Sequence, residues 1–156
     1  MLKPSEIIAI VDTREINAWD LSPLAHEVAT LETGDYSVKG LEHVIRIERK
    51  SESDLLSCVG GERERFEREI QRLLGFPSRA LIVESSWTRV ESGDWRSKVT
   101  SNAVIGSLLG WMALGLPIIL ADNHQHAALY ARRLLFIVAR RRYKENVALS
   151  KAVSKT

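Results

Sequence analysis

Asp35, Glu48 and Lys50 are the residues whose types and spacing best suit chemistry. Glu48 and Lys50 lie two apart at the end of the apolar stretch "VIRIERK", so on a strand their side chains share one face. Asp35 follows a turn at Gly34, and Asp12 closes another apolar run, "AIVD". Carboxylates gathered at strand ends repel one another and lose hydration unless a cation neutralises them. Oxygen-only ligation is what Mg²⁺ requires, with water and a substrate phosphate completing its shell. A neighbouring ammonium orients or deprotonates an attacking water and offsets charge on a pentavalent phosphorus. A D…ExK set with a strand turn between its halves therefore suits phosphodiester hydrolysis, although three such residues recur often by chance. The charge run "RIERKSESD" also has a plain alternative as a solvated surface segment.

The elements that must position these groups are legible from periodicity. "EIIAIVD" (6–12), "RALIVES" (79–85) and "PIILAD" (117–122) are short apolar runs that predict strands buried on both faces. "VATLETGDYSV" predicts a strand, a turn at Gly34 and a second short strand, and "GLEHVIRIER" a further strand. From Ser51 the period changes to a helix start ahead of Leu55 and Leu56, ended by Gly60 and Gly61. "ERERFEREIQRLL" carries Phe66, Ile70, Leu73 and Leu74 on one helical stripe. "SSWTRVESGDWRSK" predicts a polar loop. "SNAVIGSLLGWMALG" predicts a helix capped by Ser101 or Asn102 and stopped by Gly115 and Pro117. A long amphipathic helix follows from residue 123. Doubly buried strands separated by helices make a mixed three-layer α/β domain.

With 156 residues, 45% hydrophobic and 27% charged, the chain has the size and composition of one soluble domain. Its longest apolar stretch, 104–121, is broken by three glycines and Pro117 and is no membrane span. The N-terminus lacks the pattern of a signal peptide. One cysteine, Cys58, excludes an internal disulfide and a cysteine-based zinc site, so a reducing, cytoplasmic setting is expected. Net charge is +2, but residues 131–156 hold eight Lys or Arg against Glu145 alone. That basic stretch fits a phosphate backbone and a solvated helix end equally well. A folded unit over 1–145 and a basic, disordered tail over 146–156 are expected.

Three segments, "VDTRE" (11–15), "GDY" (34–36) and "ERKSESD" (48–54), stand in the order and spacing of one known family. Through them the chain resembles the XPF family of structure-specific endonucleases, within the PD-(D/E)xK superfamily, over about residues 6–142. Its signature is GD, a variable stretch, then ERK with an Asp four residues later, which "GDYSVKGLEHVIRIERKSESD" carries without a gap. The resemblance implies a restriction-endonuclease-like α/β core, a central mixed sheet flanked by helices. It makes Asp35 and Glu48 metal ligands, Lys50 the catalytic lysine, and Asp12 a further acid bordering the metal. Arg14 and Glu15 belong to the same set, and Arg49 and Asp54 complete it. Arg14 and Arg49 either neutralise the scissile phosphate or pair with Glu15 and Asp54. Asp54 also suits a helix N-terminus, and Tyr36 suits packing better than base stacking.

The implied activity is a Mg²⁺- or Mn²⁺-dependent DNA endonuclease acting on branched, flapped or junction DNA in repair, recombination or phage DNA processing. An inactive DNA-binding or dimer-partner module of the same fold is the alternative, and intact Asp35, Glu48, Arg49 and Lys50 argue against it. A resolvase or restriction-type nuclease sharing only D…ExK is a third reading. The family's helix-hairpin-helix units would not fit in this length, and "VDTREINAW" lacks the usual proline-containing stretch. A stand-alone domain of this kind suggests a bacterial or phage-infected cell, or the nucleus in a eukaryote. Trp87 and Trp95, among Arg89, Arg96 and Lys98, either stack unpaired bases or anchor a loop. Arg140, Arg141 and Arg142 are candidate backbone contacts, and the apolar face of the last helix implies a homodimer. His124 and His126, two apart, do not share a helical face and read as capping or surface residues, not a metal pair.

Overall fold

The short apolar runs pair into one sheet. The computed structural model describes residues 1–154. Its strands are β1 (Ile8–Asp12), β2 (Ala25–Ala29), β3 (Tyr36–Val38), β4 (Ile45–Ser51), β5 (Ser78–Glu84) and β6 (Ile118–Leu120). Its helices are α1 (Glu52–Val59), α2 (Arg63–Leu73), α3 (Trp87–Ser92), α4 (Ser101–Ala113) and α5 (His124–Val153). The sheet order is β2-β1-β3-β4-β5-β6. β3 runs antiparallel to β1 and β4, while β1–β2, β4–β5 and β5–β6 are parallel. This is the expected mixed α/β sheet flanked by helices.

Alternation along the strands splits the core in two. Ile45, Ile47 and Ile82 join Ala9, Val11, Tyr36 and Val38 under α5, with Ala127, Ala131 and Leu135 from the helix. Leu81 and Val83 point the other way, into a cluster with Leu55 of α1, Phe66 and Ile70 of α2, and Leu108 and Trp111 of α4. Each such fully buried Leu, Ile or Phe contributes roughly 1.5–3 kcal/mol. The same parity governs the charged end of β4. Arg49 continues the Ile45–Ile47 face, while Glu48 and Lys50 continue the face that meets α1 and α2.

Four local expectations are corrected. β2 begins at Ala25, inside the segment read as irregular, and all five of its residues are exposed. It is an edge strand with no buried face, so it carries no apolar alternation. The "SSWTRVESGDWRSK" segment is not all loop. Ser86 caps α3 by accepting the Arg89 N–H, and Gly93 ends it at φ 62°. The cap of α4 is Thr100, one residue earlier than expected, and it accepts the Ala103 N–H. Residues 146–153, expected as a disordered tail, are the last turns of α5; residues 155 and 156 lie outside the described residues. Ala, Leu and Lys in "VALSKAV" favour helix, and no Gly or Pro interrupts the chain after Pro117. Among the described residues no helix is long and apolar enough to cross a membrane.

Candidate active site

A glycine turn delivers Asp35 to the carboxylate end of β4. Gly34 sits at φ +77°, a conformation that favours glycine, and a Cβ there would lie 3.1 Å from Arg46 Cβ. The Asp35 N–H donates to Ile47 O at 2.8 Å, and its carbonyl accepts the Asp12 N–H at 2.9 Å. Its Oδ2 accepts the Arg49 backbone N–H at 2.8 Å. Glu48, 6% exposed, lies on the same face of the sheet, and Lys50 Nζ stands 3.0 Å from Glu48 Oε1. The ammonium also lies 5.1 Å from the centre of the Phe66 ring of α2.

Two desolvated carboxylates side by side resist ionisation. Burial, then the Glu48 charge, pushes Asp35 up to about 8, against the opposing Arg49 N–H. Burial likewise raises Glu48, although the Lys50 ammonium opposes it. For Lys50, burial alone would favour the neutral amine. The Glu48 carboxylate outweighs it, and the lysine is held above its ordinary value, as an ammonium.

Asp12 lines the same cleft and is held by other partners. Its Oδ1 accepts the Leu31 N–H at 2.9 Å and its Oδ2 accepts Arg14 Nε at 2.7 Å. Burial pushes its carboxyl up, but the Arg14 guanidinium and two N–H groups outweigh that and hold it low. Arg14 spends Nη2 on Leu31 O at 2.7 Å, and its side chain remains 68% exposed at the cleft. Glu15 lines the same cleft, and its carboxylate is bonded to Tyr36 Oη at 2.7 Å and to Arg49 at 3.1 Å. Tyr36 is fully buried and stacks on Trp19 at 4.6 Å, in keeping with packing. Of the two expectations for Arg49, pairing is what the geometry contains, with Glu15 and Glu84 but not with Asp54. Asp54 is exposed in the first turn of α1, where its N–H meets the capping Ser51 Oγ at 3.1 Å.

A cleft of about 570 Å³ opens over Asp35, Glu48 and Lys50, and its far wall is α2. Arg65, Arg68, Glu69 and Arg72 line that wall. Sequence reasoning missed them, although Arg65, Arg68 and Arg72 recur at helical spacing beside the apolar stripe of "ERERFEREIQRL". Trp87, Trp95, Arg140, Arg141 and Arg142 do not line it. Trp95 donates its indole N–H to Val99 O at 2.7 Å and packs on the α4 core, and Trp87 is 39% exposed at the start of α3. The three arginines belong to α5, which packs on the opposite side of the sheet.

Among the described residues no three His, Cys, Asp or Glu side chains gather as a cation-holding set. A pair of carboxylates still fits Mg²⁺, which keeps several waters and takes one or two carboxylates plus substrate phosphate. Asp35 and Glu48 crowd together with the Lys50 ammonium on Glu48, and a cation between them would relieve the repulsion that raises Asp35.

Residues 11–134 match a family model described as ERCC4 domain. XPF from Aeropyrum pernix has a similar fold at a TM-score of 0.69 and 19% identity, over 89% of this chain and 68% of that one. XPF from the same organism in complex with DNA matches at a TM-score of 0.66 and 19% identity, over 86% of this chain and 66% of that one. This chain thus spans about two thirds of their length. No curated protein matches the sequence.

Proposed function

The chain belongs to the ERCC4 domain family and is an XPF-type nuclease domain, and we propose that it is a divalent-metal-dependent endonuclease cutting branched or flapped DNA. The observation that carries this reading is the pair of half-buried Asp35 and buried Glu48 beside the Lys50 ammonium, in a cleft walled by arginines. Asp35 and Glu48 would hold Mg²⁺ or Mn²⁺, which supplies Lewis-acid polarisation of a phosphoryl oxygen and activation of water at neutral pH. Lys50, kept protonated by Glu48, donates hydrogen bonds at the cleft and offsets negative charge developing on the phosphate. Arg14, Arg68 and Arg72 bind and orient the backbone phosphates on either side. Asp12 is a positioning residue for Arg14, consistent with both its oxygens being engaged.

The test is a cleavage panel of labelled flap, fork, bubble, four-way junction, single-strand and linear duplex DNA with Mg²⁺. Cleavage of one or more branched forms ahead of linear duplex is expected. No cleavage of any member, in Mg²⁺ or Mn²⁺, would overturn the proposal.

A further inference from the structure

Arg49 ties two faces of the sheet together. Its backbone N–H holds Asp35 Oδ2 at 2.8 Å on the cleft side. Its side chain passes to the α5 side, where it is 14% exposed and surrounded by acceptors. Nε donates to Glu84 Oε1 at 2.6 Å, and Nη1 to Glu15 Oε2 at 3.1 Å and to Asn17 O at 3.0 Å. Nη2 lies 3.4 Å from His124 Nδ1. The second Glu84 oxygen, Oε2, is 3.0 Å from the same His124 nitrogen. Glu84 ends β5 and His124 is the first residue of α5, immediately after the capping Asn123.

We propose that Glu84 and His124 are positioning residues for the Asp35–Glu48 centre, acting through Arg49 from the opposite face of the sheet. The inference rests on the metal-dependent reading above. A guanidinium fixed by a carboxylate that is itself fixed by an imidazole cannot shift without breaking charge-assisted bonds. The peptide that Arg49 anchors carries both the N–H that orients Asp35 and the flanking Glu48 and Lys50. The strand end is thereby bolted to the N-terminus of α5. Neither residue lines the cleft.

The experiment compares wild type with Glu84→Gln, His124→Ala and His124→Gln. Metal-free protein is titrated with Mn²⁺ by EPR, amide hydrogen exchange is followed by NMR, and kcat and KM are measured on the best-cleaved DNA. For Glu84→Gln, Mn²⁺ affinity and kcat each fall about tenfold to hundredfold, as for other groups that orient metal ligands, while KM stays within about twofold. The Arg49 amide exchanges faster while that of Ile10 in β1 does not. His124→Ala changes in the same direction, and His124→Gln, which keeps a polar partner for Glu84, recovers most of the loss. Wild-type Mn²⁺ affinity and Arg49 exchange in both Glu84→Gln and His124→Ala would overturn the proposal, as would His124→Gln as damaged as His124→Ala. If Glu84→Gln does not fold, the two His124 variants decide. A wild type that neither binds Mn²⁺ nor cuts DNA sinks this inference together with the nuclease reading, whereas an active wild type matched by its variants sinks this inference alone.

Discussion

Lys50 remains an ammonium because the adjacent Glu48 carboxylate outweighs the cost of burying it. It therefore serves the transition state as a charge and a donor. Lys50→Ala should leave metal binding and most DNA affinity in place while turnover falls about a hundredfold to ten-thousandfold. DNA affinity in Ca²⁺ and cleavage in Mg²⁺, measured in parallel, check this; equal proportional losses would mean a phosphate anchor only. Asp35 makes a second prediction, about stability. Its carboxyl is raised from 3.8 to about 8 on folding, so the folded state favours the neutral acid. That contribution is complete below the unfolded value and is lost as pH rises through about 8. Without metal, Asp35→Asn should gain on wild type in melting temperature from about pH 4 to pH 8 and level off above. Mg²⁺ should then stabilise wild type and not the variant, because only a bound ligand shifts the folding equilibrium. A constant gap across that pH range would contradict the burial of this charge.

At the scale of elements, α2 is the part of the site with most to test. Arg68 and Arg72 face the carboxylates across the cleft without a carboxylate partner of their own among the described residues. Replacing both with Ala should lower the log–log salt slope of DNA binding by about two units, since each phosphate contact contributes about 0.9. The same change at Arg140 and Arg141, on the far side of the sheet, should affect cleavage less. An unchanged slope in the α2 variant would remove that helix from the DNA path. The uneven legibility of these elements has physical causes. β1, β4 and β5 are buried, so their apolar runs declare them, and the two-residue spacing of Glu48 and Lys50 fixes their shared face. β2 is an exposed edge with nothing to bury, and α3 is a six-residue turn held by Ser86 and Gly93. The partners of Arg49 come from Glu15 and Glu84, 34 and 35 residues away, which no local pattern encodes.

Over the whole molecule, one sheet keeps two polar systems apart. The face under α1 and α2 carries Asp35, Glu48 and Lys50, and the face under α5 carries Arg49, Glu84 and His124. Strand parity accounts for the division, since consecutive residues of "ERK" must point to opposite faces. The sequence motifs grouped Arg49 with Asp35, Glu48, Lys50 and Glu15, and of these the cleft is lined by all but Arg49. Only the three-dimensional packing sends the Arg49 side chain to the other side, while Glu15 lines the cleft and reaches Arg49 from there. The central claim, that Asp35 and Glu48 together hold the cation for phosphodiester hydrolysis, is tested most directly with Glu48→Gln, which removes a charge and keeps the volume. The measurement is the single-turnover rate on the best-cleaved branched DNA in saturating Mg²⁺, with folding confirmed by circular dichroism. The account predicts no cleavage above the metal-free background, in Mg²⁺ or Mn²⁺. A folded Glu48→Gln protein cutting at the wild-type rate would contradict it.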